Sequence, residues 1–291
     1  MTIRHLRVFA EVCSCGSVTQ AAQNLFISQP AASAAIAELE SHYGIRLFDR
    51  IGRRLYVTEA GKRFLGYVEH ILRLFDEMEH VRDWEEGGVV RVGTSITVGN
   101  RLLPGLIRAF QGRRPQTEVE AVVDNSEAVE ERVLRGEIDL GLIEGSVHSP
   151  LLESIPFFHD RMVLILPPDA PWENGAALPV RILGEYPLLL REKGSAGREI
   201  LDGILSLHGI TPKSAWQSIS TQAIIRAAHN GLGISLLPYL LVQEALERGE
   251  IRYANLEGVS LERGYFIIRH NEKFVTPAAQ DFIALCLSLE A

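Results

Sequence analysis

Residues 17–50 of this chain, SVTQAAQNLFISQPAASAAIAELESHYGIRLFDR, leave it little structural freedom: two stretches of helical spacing meet at a short turn. In the first, Val18, Ala21, Ala22 and Leu25 recur at the steps that put side chains on one helix face. Ser17 stands where an N-cap hydroxyl accepts a free backbone amide. Asn24 to Ile27 make the turn, Ser28 caps the second stretch, and Pro30 falls in its first turn, where a missing N–H costs no helical bond. Ile36, Leu39 and Tyr43 are expected to point inward and Gln29, Ser33 and Ala34 outward. A face so lightly built suits the major groove, so the pattern reads as a helix-turn-helix, although any small bundle of alanine-rich helices shares part of it. The next phrase, DRIGRRLYVTEAG, reads as two short strands around Gly52 with Arg53 and Arg54 at the tip, a basic wing placed for phosphate or minor-groove contact.

Thr58 is expected to cap a helix that runs without proline to about Glu86 and stops at Gly87 and Gly88. Phe64, Val68, Ile71, Phe75 and Met78 alternate in steps of four and three, the spacing of a coiled-coil seam. The stripe predicts pairing with a second copy; packing against its own chain is the alternative.

From Val89 the period changes. Strands at Val89–Ser95, Val119–Val123 and Asp139–Ile143 alternate with helices near 101–110 and 127–135, and a second series starts at Met162–Leu166. It continues through Leu188–Leu190, a helix 195–207, Ala215–Gln217, a helix 221–229 and Ile234–Leu237; Tyr265–Arg269 returns as a strand before a last helix, 277–289. Alternation of this kind predicts α/β lobes with crossover helices and a cleft between them. Ligands of such folds sit at strand C-terminal ends beside helix N-termini. Ser95, Thr97 and Asn100 follow one strand, and Ser195 and Arg198 open a later helix. Ser126 and Gln222 begin two others, and a small anion is the natural ligand of the set. Each is equally placed to be an ordinary cap. Glu144, just past DLGLI, complicates a purely anionic ligand: it pairs with Arg191 or Arg198, or receives an amino group of a zwitterion.

Composition narrows the function classes. The chain has 291 residues, 46% hydrophobic and 23% charged, as expected of a soluble protein of several domains. Its N-terminus is too polar for a secretory signal and no apolar run has membrane-spanning length, so a cytoplasmic location is expected. Residues 1–66 hold eight Arg or Lys against five Asp or Glu, which is +3 in a chain of net −8 and leaves −11 for the remainder. The head can touch DNA while the rest is repelled by it. Cys13, Cys15 and Cys286 read as buried or half-buried thiols. No nucleophile elbow, phosphate-binding glycine loop, H-E-x-x-H or paired-carboxylate motif marks an enzyme; no metal or cofactor is expected. An exported solute-binding protein would share the cleft but neither the basic head nor the polar start.

Four phrases in order, FAEVCSCGSVTQAAQNLFISQPAASAAIAELESHYGIRLFDR, LYVTEAGKRFL, RGEIDLGLIEG and AAHNGLGISLLP, resemble a LysR-type transcriptional regulator over essentially the whole chain. The resemblance implies a winged helix-turn-helix in residues 1–58, a linker and dimerisation helix in 59–88, and a two-lobed, periplasmic-binding-protein-like α/β effector domain. Lobe I would take 89–164 and 266–291, and lobe II 165–265. It implies a homodimer or homotetramer on double-stranded promoter DNA, answering to a small effector in the interlobe cleft. Carried over by position, Gln29, Pro30 and Ser33 look like base-edge readers, Ser28 like a phosphate contact, and Arg53 and Arg54 like wing contacts; Ser95, Thr97, Ser126 and the Ser195 loop match the effector pocket. The chain departs from many relatives at Ala34 and Ala35, small residues where an outer face would carry long polar ones, which shifts weight to thymine-methyl contacts and DNA shape. LREKGSAGRE is similar to a phrase in a sulfur-assimilation branch, hinting at a sulfur oxyanion; a carboxylate fits equally.

Overall fold

Alanines let the first helices of the chain approach closely, and that approach builds the N-terminal unit. The computed structural model describes residues 1–51, 54–79 and 87–290, in two units, Met1–Asp83 and Trp84–Ala291. The first comprises α1 (Ile3–Cys15), α2 (Val18–Asn24), α3 (Gln29–Tyr43), the antiparallel strands β1 (Phe48–Ile51) and β2 (Arg54–Val57), and α4 (Glu59–Glu79). Ala21, Ala22, Ala32 and Ala35 are buried against Phe9, Val12, Leu39 and Leu47. Ser17 Oγ accepts the Gln20 N–H and Ser28 Oγ the Ala31 N–H, each at 3.3 Å, so both expected caps form. Thr58 Oγ1 accepts the Gly61 N–H at 2.9 Å. Gly61 has to lack a side chain, because a Cβ there would lie 2.3 Å from the Leu47 carbonyl oxygen.

Three expectations for this unit need correction. Ala35 is buried, not outward, so only Ala34 of the alanine pair faces solvent. Tyr43 is 43% exposed; it lies one turn beyond Leu39, where α3 leaves the core, and rests edge-on against Phe64 with ring centres 4.9 Å apart. The apolar stripe of α4 is rotated. Phe64 and Val68 belong to the unit's own core, and Phe75 lies under the Arg7 guanidinium at 5.9 Å. The exposed row is Tyr67, Ile71, Leu74 and Met78, again in steps of four, three and four. Heptad spacing gives the period of a stripe but not which of two stripes α1 covers. The end of the expected helix, 80–86, lies outside the described residues, as do Gly52 and Arg53.

The second unit opens with β3 (Val89–Ser95), α5 (Ile96–Arg101), α6 (Leu103–Arg113), β4 (Glu118–Asp124), α7 (Ser126–Leu134) and β5 (Leu140–Glu144). There follow β6 (Leu152–Leu166), β7 (Ala176–Leu178), α8 (Ile182–Glu185), β8 (Pro187–Arg191), α9 (Ala196–Leu207), β9 (Lys213–Ser218), α10 (Thr221–His229) and β10 (Ser235–Pro238). The chain ends through α11 (Tyr239–Glu247), β11 (Arg252–Leu256), β12 (Glu262–His270) and α12 (Pro277–Leu287). As the alternation predicts, β3 lies parallel between β4 and β5, and β8 pairs parallel with β9.

Two long antiparallel strands carry the chain between the lobes. The first ten residues of β6, Leu152 to Arg161, pair with β12 in the first lobe; its last five, Met162 to Leu166, pair with β10 and β11 in the second. The sequence pattern marks only the second part, Met162–Leu166. The structure puts Pro156 at a register shift opposite Phe266, a bulge that tolerates a residue without an N–H. The first lobe's core gathers around Phe110, Phe157, Tyr265 and Phe282, the second lobe's around Met162, Leu164, Leu188 and Leu236.

Candidate functional site

Two surfaces correspond to the predicted sites. On α3, Gln29, Pro30 and Ala34 are exposed and Ser33 is half-buried. Gln29 Nε2 donates to Ser33 Oγ at 2.9 Å, one turn away, which holds both polar groups on one face. Ser28 is exposed at the helix start. Arg54 opens β2, paired with Ile51 across the wing.

In the second unit the predicted effector residues separate into three groups. Thr97 and Glu144 join a buried polar cluster with Asp160, Arg263 and Tyr265. Thr97 Oγ1 donates to Glu144 Oε1 at 3.0 Å; Arg263 Nη1 reaches the same oxygen at 3.4 Å, and its Nη2 lies 2.5 Å from the Tyr265 hydroxyl. That hydroxyl donates to Asp160 Oδ2 at 3.3 Å. Burial pushes the Tyr265 phenol well above its usual range, so it serves as an O–H. Asp160 Oδ2 also accepts the Leu240 N–H at 3.4 Å, which ties the crossing strand to the start of α11.

The pairing expected for Glu144 is therefore replaced. Arg191 is taken by its neighbour Glu192, with two bonds of 2.8 Å, and by Thr221 Oγ1 at 3.2 Å. Arg198 is held by Asp202 at 2.8 Å and by the Arg191 carbonyl at 3.0 Å. The cation beside Glu144 is Arg263, which the sequence reading missed. A signal existed: Arg263, Tyr265 and Ile267 occupy alternate positions of one strand and all are buried, so the arginine shares the inward face.

The second group lies where α7 and α9 begin against each other from opposite lobes. Asn125 caps α7 through the Ala128 N–H at 2.9 Å, and Ser195 caps α9 through the Arg198 N–H at 3.3 Å. The Glu127 N–H donates to the Gly194 carbonyl at 3.2 Å across the lobes. The backbones come so close that a Cβ on Gly145, at φ 90°, would sit 2.7 Å from Ala196 Cβ. Ser126 Oγ is buried there without a partner. Ser95 Oγ does cap duty in α5, accepting the Val98 N–H at 3.4 Å.

The third group, Asn100 and Gln222, lines an interlobe cavity of about 370 Å³ between α5, α10 and α11. Asn100 Nδ2 donates to the Ile96 carbonyl at 2.8 Å. Arg101 bridges the cavity's rim to Glu244 at 2.5 Å, and that hydrogen bond and charge hold the Glu244 carboxyl below its usual range. Among the described residues no cluster of three or more His, Cys, Asp or Glu is arranged to hold a metal, and no helix is long and apolar enough to cross a membrane.

Comparison with known proteins matches these two units in order. Residues 3–62 fit the pattern described as the bacterial regulatory helix-turn-helix protein, lysR family, and residues 85–290 fit the LysR substrate binding domain. The chain is 36% identical over 288 residues to the HTH-type transcriptional regulator YeiE of Escherichia coli strain K12, covering 98% of this chain and 97% of that one. It is 30% identical over 291 residues to the RuBisCO operon transcriptional regulator of Allochromatium vinosum, covering 99% and 96%. Among solved structures, full-length CbnR complexed with its target DNA is similar with a TM-score of 0.70 at 25% identity, each chain covered completely at 100%. The regulatory domain of Synechocystis PCC6803 CcmR, in complex with 2-PG, is similar with a TM-score of 0.65 at 23% identity over 69% of this chain and 97% of that one. With both family patterns in sequence order and full-length relatives at this identity, the chain belongs to the LysR family: it is a DNA-binding transcriptional regulator with a substrate-binding domain, not an enzyme.

Proposed function

We propose that a small anion entering the interlobe cleft changes how a pair of these chains holds promoter DNA. The observation that carries the reading is the meeting of α7 and α9 across the lobes, with the Ser126 hydroxyl buried beside it and bonded to nothing. Neutral donors at helix starts suit an anion without a free cation. Arg191, Arg198 and Arg101 are each engaged by a carboxylate. The CcmR regulatory domain, which shares this fold, is in complex with 2-PG, which supports a small ligand for a domain of this kind. Ser95, Thr97, Asn100, Ser126, Glu144, Ser195, Arg198 and Gln222 are the residues through which we place the effector, a sulfur oxyanion or another small anion.

On the DNA side, Gln29, Pro30, Ser33 and Ala34 read base edges, Ser28 holds a phosphate, and Arg53 and Arg54 touch the flanking groove. The exposed row Tyr67, Ile71, Leu74 and Met78 pairs the heads. A gel shift with the DNA upstream of the neighbouring genes tests the head: Ser33→Arg and Gln29→Ala are each expected to weaken binding by about 1–3 kcal/mol, the scale of one base-edge contact. Unchanged binding in both variants refutes it.

A further inference from the structure

The cluster at the end of β5 has an unbalanced charge. Glu144 and Asp160 are two carboxylates for the single guanidinium of Arg263, and their side chains are 8%, 8% and 2% exposed. Asp160 is provided for by the Tyr265 hydroxyl and the Leu240 amide. Glu144 is provided for on one side only. Its Oε1 takes the Thr97 hydroxyl and Arg263 Nη1, whereas Oε2 has no donor; on the other side of the pair, the Nε–H of Arg263 has no acceptor. A buried carboxylate oxygen and a buried N–H left open both cost free energy.

Resting on the anion reading above, we propose that the effector is an oxyanion that keeps an acidic proton at neutral pH, and that Glu144 Oε2 accepts that proton in a hydrogen bond. An acid oxyanion carries both an O–H and an X=O, the chemical counterparts of one open acceptor and one open donor. A fully deprotonated anion, sulfate or a simple carboxylate, would bring only repulsion to Glu144. An ammonium group would satisfy Oε2 but offers no acceptor to the Nε–H of Arg263. Glu144 thus acts as a selectivity residue: it admits anions by whether they carry a hydrogen.

Isothermal titration of the full chain with inorganic phosphate, sulfite and sulfate, in buffers of different ionisation heat, tests this. Phosphate or sulfite, which retain a proton near neutrality, is expected to bind at least about tenfold more tightly than sulfate, a margin of about 1.4 kcal/mol. Whatever sulfate binds should take up a proton, and affinity should fall as pH rises from about 6 to about 8. Glu144→Gln, whose amide can donate, is expected to erase the preference and improve sulfate binding; the pair of Arg263 with Asp160, at 3.7 Å, remains in that variant. Sulfate binding as tightly as the proton-bearing anions without proton uptake overturns the proposal, as does an unaltered preference in Glu144→Gln; either result leaves the anion reading standing. If no oxyanion binds but a dicarboxylate does, the proposal alone falls, and if no small anion binds, both fall. Should Glu144→Gln fail to fold, the preference of the native protein and its pH dependence decide.

Discussion

Replacing Arg263 by methionine keeps most of the side chain's volume and removes the one cation that Glu144 and Asp160 share. Both carboxylates lie at 3.4 and 3.7 Å from the guanidinium, and all three side chains are less than a tenth exposed. Breaking a buried pair by deleting one partner typically costs about 3–5 kcal/mol, because the surviving charge stays buried without compensation. In a domain of this size that lowers the melting temperature by roughly 10 °C. Urea unfolding with calorimetry of Arg263→Met would read both quantities. Adding Glu144→Gln should restore part of the loss, since one of the two stranded charges is gone. A loss below about 1 kcal/mol, the scale of an exposed ion pair, would refute the reasoning.

Two further outcomes follow from other parts of the molecule. Leu74→Glu, at a position 43% exposed in the α4 row, should shift the full chain toward monomer in analytical ultracentrifugation with its fold retained, and an unchanged oligomer would remove that row from the interface. Burial pushes the thiols of Cys13 and Cys286 up to about 12. At about pH 8 their thiolate fraction is about a thousandfold below that of an ordinary cysteine, so iodoacetamide with mass spectrometry should label both far more slowly in the native than in the unfolded protein.

The readable parts of the chain were those where a local rule and the final environment agree. Ser17 and Ser28 cap helices because a short hydroxyl beside a free amide needs no distant partner. The run Val89–Ser95 is a strand over the bounds its composition implied, since a parallel central strand is apolar on both faces. Helix α11 and strands β7 and β11 escaped notice, in part because α11 follows β10 without a break, so two periods run together in one apolar stretch. Of the candidate site, Ser95 and Ser195 were legible as residues at helix starts, but their hydroxyls are occupied in capping.

Sequence alone determined the order of head, long helix and α/β lobes, because periodicity, caps and motif phrases are properties of neighbours along the chain. Tertiary structure decided which side of each element is spoken for. It gave Phe64 and Val68 to the core and left Tyr67 and Leu74 outside. It also put Arg263, 119 residues from Glu144, against that carboxylate. Such pairings depend on how two crossing strands bring distant residues into one low-dielectric space, and no local spacing encodes that.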